Sequence, residues 1–172
     1  METLDHNAAV FTIVITILLL QRVSELVISK RNEKWLRNQG AIDYGASHYY
    51  FIVAVHALFF ISVIAEFIYA NNIAINWWLI IVAIILQLFR VWILLTLGNY
   101  WSTKILVVPN APLIKTGPYR FVRHPNYVLV ALELIVIPMI FNLYITTGIF
   151  LLLNSYVLSI RMREEDKALG YR

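Results

Sequence analysis

The sequence predicts an all-α integral membrane protein with about five transmembrane helices, and three observations carry that prediction. Sixty per cent of its 172 residues are apolar and 14% are charged, with a mean hydropathy of +0.73; soluble domains lie nearer half and a quarter. The apolar residues gather into long runs, most of them close to the ~20 residues that cross a hydrocarbon core of ~30 Å. Apart from Arg22 and Arg90, every Lys and Arg falls within residues 30–37, 104–123 or 161–172. Those basic segments alternate with an acidic start and two Asn-bearing turns that hold no cation. The positive-inside rule therefore puts the N-terminus outside and the C-terminus in the cytoplasm. The formal charge of +4 then reflects topology and anionic lipid contact, and no nucleic-acid partner is expected. The absence of cysteine excludes disulfides and thiol chemistry. His6, His48, His56 and His124 form no close ligand pattern with carboxylates, so no metal is expected. The chain reads as one membrane domain: three N-terminal spans over residues 1–97, then a loop, a helical hairpin and a tail over residues 98–172.

The start, METLDHN, lacks the basic leader of a signal peptide, so the first apolar segment, Ala8 to Ile28, is expected to remain. Arg22 and Glu25, three apart in its second half, read as an ion pair near the headgroups. Ser29 to Ser47 reads as a polar stretch, broken by Gly40 and Gly45 and anchored by Trp35. The second span runs from His48 to Tyr69, with His56 placed for a helix–helix hydrogen bond and Glu66 approaching the far interface. Asn71, Asn72 and Asn76 mark a turn. The third span runs from Ile75 to Leu97 and carries Trp77 and Trp78 at its interface. Arg90 lies well inside it and needs a partner, for which Glu25, Glu133 or an anionic ligand group are the candidates. Gly98 to Pro112 leaves the helical pattern, with Ile105 to Val108 as a short extended run. The fourth span, Pro125 to Ile140, is short for a crossing and contains Glu133 and Pro138. Asn142 permits a tight turn into the fifth, Leu143 to Ile160, and the two form a hairpin. The charged tail RMREEDKALGYR continues the fifth helix past the membrane surface.

The stretch TGPYRFVRHPNY, Thr116 to Tyr127, is the part to which the rest is subordinate. Two prolines, two arginines, a histidine and two tyrosines crowd together between apolar segments, and ionisable clusters beside membrane helices mark functional sites. Pro125 suits the first turn of a helix, with His124 or Arg123 near its cap and free first-turn N–H groups open to an anion. A helix beginning by Arg123 would set Arg123 and Tyr127 on one face. The plainer alternative is a basic loop anchoring a helix at the headgroups. A second cluster follows the hairpin: Arg161, with Glu164 and Glu165 three and four residues on.

Together these clusters resemble the isoprenylcysteine carboxyl methyltransferase family, which carries an RHPxY motif and, one hairpin later, paired glutamates. Here the matching positions are Arg123, His124, Pro125, Tyr127, Glu164 and Glu165. LGNYWS at Leu97–Ser102 and GPYR at Gly117–Arg120 are similar to the bacterial branch, and the resemblance covers Leu97 to Leu169. It implies a multi-span enzyme of the bacterial cell membrane that moves a methyl group from S-adenosylmethionine to an acceptor partly buried in lipid, in a cytoplasm-facing pocket. Carried over by position, Arg123 is the catalytic or substrate-orienting cation and Glu165 its acidic counterpart. His124, Pro125, Tyr127 and Glu164 line the cofactor pocket, with Tyr119 and Arg120 at its edge. Two departures bear on the acceptor. Val128, Leu129 and Val130 follow the motif tyrosine where many relatives have Gly, and the sequence stops at Arg172, with Tyr171 as the remnant of a longer closure. A prenylated protein is then a poorer fit than a lipophilic small molecule bearing a hydroxyl or carboxyl, such as an alkyl-chain aromatic polyketide.

Those residue types suit methyl transfer, in which a sulfonium and an oxyanion become neutral products. A carboxylate acceptor needs only positioning and desolvation, whereas a phenol needs a base such as Glu165. Three other readings compete. A sterol-type reductase using NADPH shares an RHPNY-like motif but follows it with Gly–Glu and is longer. A phospholipid N-methyltransferase uses the same cofactor. A non-enzymatic assembly or transport component accounts for Arg22, Glu25, Arg90 and Glu133 but not for the RHPNY–EE pairing.

Overall fold

The computed structural model describes residues 2–44, 46–70 and 73–170, the side chains of residues 2–4 and 46–48 apart. It is a bundle of five helices: α1 (Glu2–Asn38), α2 (Ala46–Tyr69), α3 (Trp77–Leu97), α4 (Pro125–Met139) and α5 (Tyr144–Leu169). Four of them are long and apolar enough to cross a membrane, and α4 is apolar but shorter. Fifteen residues span only about 22 Å at 1.5 Å each, so α4 lies within the bundle, most of its residues buried. The turn expected at Asn71 and Asn72, Gly45 and the closure expected of Tyr171 lie outside the described residues.

The helix starts and stops follow local chemistry. Asn76 caps α3, its side chain accepting from Leu79 N–H at 3.3 Å. Pro125 opens α4 at its first position, where a missing N–H has no helical partner to lose. Asn142 takes the left-handed conformation, φ 58°, which its short polar side chain tolerates and which turns the chain from α4 into α5. The first turn of α5 has no cap from its own chain neighbours. Glu66 of α2 supplies one, accepting from Ile145 N–H at 3.0 Å and Thr146 N–H at 2.7 Å. The residue that seemed only to approach the interface thus joins two helices.

α1 is the main departure from expectation. It continues without a break through Ser29–Asn38, which the sequence presents as a polar stretch. Beyond it, β1 (Ile42–Tyr44) pairs antiparallel with β2 (Ile105–Val107), Asp43 opposite Leu106. The extended run at Ile105 was legible, its partner strand was not. An ionic cluster ties the ribbon to α1: Glu33 accepts from Lys104 at 2.8 Å and from Arg37 at 2.8 Å, and Arg37 reaches Asp43 at 3.1 Å.

The core has an apolar half and a charged layer. At the end of the bundle holding Asn76 and Asn142, Phe11 stacks on Phe67 at 3.7 Å and meets Phe141 edge-on at 5.1 Å. Nearer the other end, Arg90 bridges two buried carboxylates. Its Nε donates to Glu133 Oε1 at 3.0 Å, its Nη2 to Glu133 Oε2, and its Nη1 lies 3.2 Å from Glu25 Oε1. Arg22 closes the ring, at 2.8 Å from Glu25 and 3.0 Å from Glu133, and Gln21 and Gln87 donate to the same carboxylates. Arg90 therefore takes both protein partners proposed for it. The Arg22–Glu25 pair belongs to this interior layer, not to the headgroups. His56 bonds within its own helix, Nδ1 to Ile52 O at 2.8 Å, in place of the inter-helix bond expected of it.

Candidate functional site

The site lies where α3 and α5 end and α4 begins. Gly98 ends α3 with φ 52°, and the chain crosses to β2 before returning through a 3-10 turn, Gly117–Arg120. Gly117, φ 55°, packs so closely on α3 that an added Cβ would sit 2.5 Å from Thr96 Oγ1. That turn sets Tyr119 beneath the loop. A pocket opens between these parts, lined by β2 and the chain beyond it to Ile114, by Tyr119, by Arg123, His124, Asn126 and Tyr127, and by Arg161, Glu165 and Leu169 of α5.

Tyr127 is the hub. Its hydroxyl donates to Glu165 Oε2 and accepts from Arg161 Nε at 2.8 Å. Arg161 also lies beside the ring, its guanidinium carbon 5.6 Å from the centre, and its Nη2 donates to Thr103 O at 2.7 Å. His124 stacks on Tyr127 with centroids 5.2 Å apart. One imidazole nitrogen meets Asp166 at 2.8 Å, and the other lies 3.6 Å from Glu165. The short apolar α4 and the last turns of α5 are thereby locked together by the motif residues themselves. Burial pushes the Tyr119 phenol well above its ordinary range, and the nearby Glu165 charge adds to that, so Tyr119 stays protonated. Lys104 is held charged by its hydrogen bond to Glu33.

Of the residues singled out in the sequence, the fold brings Tyr119, Arg123, His124, Tyr127 and Glu165 to the pocket lining. Arg120 is exposed and outside the lining. Pro125 is fully buried beneath it, acting as the helix start. Glu164 pairs with Lys167 at 2.8 Å on its own helix; adjacent residues on a helix point about 100° apart at 3.6 residues per turn, and only Glu165 turns to Tyr127. α4 begins at Pro125 with His124 as its cap residue, so Arg123 precedes the helix and shares no helical face with Tyr127. Arg123 is exposed at the pocket's rim. The residue that takes the central cationic place beside Tyr127 is Arg161, seen in the sequence as part of the second cluster but given no role. Asp166 was passed over, though it follows the glutamates directly. Asn126, inside the motif, lines the pocket with a buried side-chain oxygen that has no partner.

The pocket's chemistry fits an adenosyl sulfonium cofactor. Valines, leucines and isoleucines of residues 105–114 give an apolar wall, aromatic faces and the Glu165 carboxylate suit a cation, and the Asn126 side-chain oxygen, buried without a partner, leaves an acceptor for a ligand.

A family model described as the isoprenylcysteine carboxyl methyltransferase family matches residues 78–171. That span takes in α4, α5, the pocket loop and most of α3. An uncharacterized protein of Bacillus subtilis, YpbQ, is 47% identical over 161 residues, covering 92% of this chain and 96% of the relative. An uncharacterized protein of Haemophilus influenzae is 29% identical over 158 residues, covering 87% and 89% respectively. No solved structure matches the chain.

Proposed function

Because the chain belongs to the isoprenylcysteine carboxyl methyltransferase family, a membrane methyltransferase family, we propose that it transfers a methyl group from S-adenosylmethionine to a carboxyl or hydroxyl oxygen of a lipophilic acceptor. The observation that carries this reading is the meeting of Tyr127, Glu165 and Arg161 at one pocket, which joins the two halves of the motif across the hairpin. The basic segments all belong to the end of the bundle that holds the pocket, so the positive-inside rule turns the site to the cytoplasm. The acceptor is a small lipid such as an alkyl-chain aromatic compound whose apolar chain enters from the bilayer. Val128, Leu129 and Val130, expected to narrow the pocket, lie outside its lining, so the preference over a prenylated protein does not rest on them.

S-adenosylmethionine, when bound, supplies an electrophilic methyl group on a sulfonium. Tyr119, Tyr127, His124 and Asn126 would hold it against the apolar wall, and Glu165 would offset its positive charge. Arg161 fixes Tyr127 and, through that hydroxyl, the Glu165 carboxylate. Arg123 at the rim orients an acceptor oxygen that carries negative charge. With a carboxylate acceptor no proton moves, and the residues contribute position and exclusion of water. With a phenol, Glu165 takes the hydroxyl proton. His124, held by Asp166, keeps the first turn of α4 closed over the pocket.

A thermal-shift titration of detergent-purified protein with S-adenosylhomocysteine, run beside NADPH, tests the reading. Native-state binding at a hundred times the dissociation constant stabilises by about 2.7 kcal/mol. The expected result is stabilisation by the adenosyl compound alone. Stabilisation by NADPH alone would give the site to a reductase, and a flat response to both in lipid would remove the enzymatic reading.

A further inference from the structure

The buried positions of α1 recur at alternating steps of four and three: Phe11, Ile15, Leu18, Glu25, Ser29, Asn32 and Leu36, with Arg22 in register. A seam of period 3.5 faces one direction along a whole helix. Its chemistry changes along the way. The first three residues join the apolar core. Arg22 and Glu25 enter the charged layer. Ser29 and Asn32 then bond the chain that forms the pocket. Asn32, 5% exposed, donates both amide hydrogens to backbone, to Gly98 O at 3.0 Å and to Trp101 O at 2.8 Å. Ser29 Oγ accepts from Thr103 N–H at 2.9 Å and pairs with Thr103 Oγ1 at 2.9 Å. Arg161 of α5 takes the carbonyl of the same residue, at 2.7 Å.

Thr103 is thus held by its N–H from α1 and by its C=O from the residue that holds Tyr127. The segment around it contributes Trp101, Ser102 and Lys104 to the pocket. It has little regular structure to satisfy its own backbone, so without outside donors its position is undetermined. α1 gives no side chain to the lining, and it lies outside residues 78–171. We propose that Asn32 and Ser29 are positioning residues of the site: the first helix fixes the Gly98–Lys104 wall where Arg161 meets it, and so sets affinity for the methyl donor. The functional half of this claim rests on the methyltransferase reading; the structural half does not.

Three variants test it: Asn32→Leu, which removes both donors while keeping the side chain's branching; Ser29→Ala, a milder change; and Phe11→Ala, which weakens the bundle at its far end. Hydrogen exchange of the amides in residues 98–108, S-adenosylhomocysteine affinity and melting temperature are measured on each intact protein in detergent. Asn32→Leu is expected to speed exchange in residues 98–108 selectively and to weaken affinity about tenfold, since the carbonyl of buried Trp101 loses its Asn32 donor and that of Gly98 is left with Trp101 N–H alone. Ser29→Ala deprotects Thr103 first. Phe11→Ala lowers the melting temperature and leaves affinity, measured well below it, unchanged. Unaltered exchange in both site variants overturns the proposal, whether or not the parent binds the adenosyl compound. Faster exchange with unchanged affinity overturns the positioning role and leaves α1 a support of the fold. If the parent binds no S-adenosylhomocysteine, the methyltransferase reading fails and the exchange pattern alone decides what α1 holds.

Discussion

Replacing Glu133 by glutamine asks whether the buried charges are a structural layer or part of the chemistry. Glu133 is 2% exposed and accepts from Arg22, Arg90 and Gln87. Two arginines and two glutamates leave the layer neutral; the substitution sets two cations against Glu25 alone. Removing one partner of a buried ion pair costs about 3–5 kcal/mol, and the lower end applies where an unpacked membrane chain also finds partners. A loss of about 3 kcal/mol lowers the melting temperature of a chain this size by about 6–12 °C. Adding Arg22→Gln leaves Arg90 with Glu25 as a neutral pair and is expected to recover part of the loss. The assay is thermal unfolding in detergent, with methyl transfer and S-adenosylhomocysteine affinity measured well below melting. Glu133 is six residues beyond Tyr127, about 9 Å along α4, so both should survive. A melting temperature equal to the parent's would refute the reasoning, and so would lost transfer in a variant of undiminished stability.

Four further substitutions bear on the site and its frame. Glu165→Gln is expected to abolish methyl transfer with little change in melting temperature, a far larger catalytic loss than Glu133→Gln; equal losses would move the site into the hairpin. Arg123→Ala should lose turnover while remaining folded, because the side chain is exposed at the pocket rim; a normal rate removes it from the chemistry. Gly117→Ala meets Thr96 Oγ1 at 2.5 Å in a left-handed backbone, so it should cost about 2 kcal/mol or more and weaken S-adenosylhomocysteine binding by displacing Tyr119, with partial recovery in combination with Thr96→Ala. Glu66→Ala strips the cap from α5 and should cost about 1–2 kcal/mol, read as a fall in melting temperature without a change in affinity.

The spans, their order and the hairpin were legible because each depends on local composition: a run of apolar residues, an Asn that accepts a left-handed turn, a Pro that starts a helix. The pairing of the two motif halves was legible for a different reason, the family pattern: Tyr127 of the first half meets Glu165 of the second, and Arg161, which the pattern does not name, stands beside them. What the sequence hid is long-range. The last ten residues of α1 read as part of a polar stretch because their hydrogen-bond partners, Gly98 to Lys104, lie more than sixty residues away. Seen with those partners, Ser29 and Asn32 continue the seam begun by Phe11, Ile15 and Leu18, and polarity no longer argues against a helix. The capping role of Glu66 was hidden for the same cause, since the N–H groups it caps belong to another helix. Arg22 and Glu25 satisfied a local rule three residues apart, which concealed that each also serves a partner on α3 or α4.

The two arginines at the pocket divide the work by burial. Arg161 uses Nε on Tyr127 and Nη2 on Thr103, two points far apart in the chain, so its charge is fixed in place and its role is to hold Glu165 through Tyr127. Arg123 precedes the helix and is exposed at the pocket's rim. A carboxylate set inside and a cation set at the rim suit a reaction between a cationic donor and an acceptor oxygen of negative charge, because each partner is drawn to the group of opposite sign. The substitutions should then separate kinetically. Glu165→Gln weakens S-adenosylmethionine binding more than that of S-adenosylhomocysteine, which lacks the sulfonium charge, and lowers the rate, whereas Arg123→Ala keeps both affinities and loses kcat/KM for the acceptor. If Arg123→Ala instead weakens the adenosyl ligand and spares the acceptor, the rim arginine serves the cofactor, and the acceptor's charge must be met elsewhere.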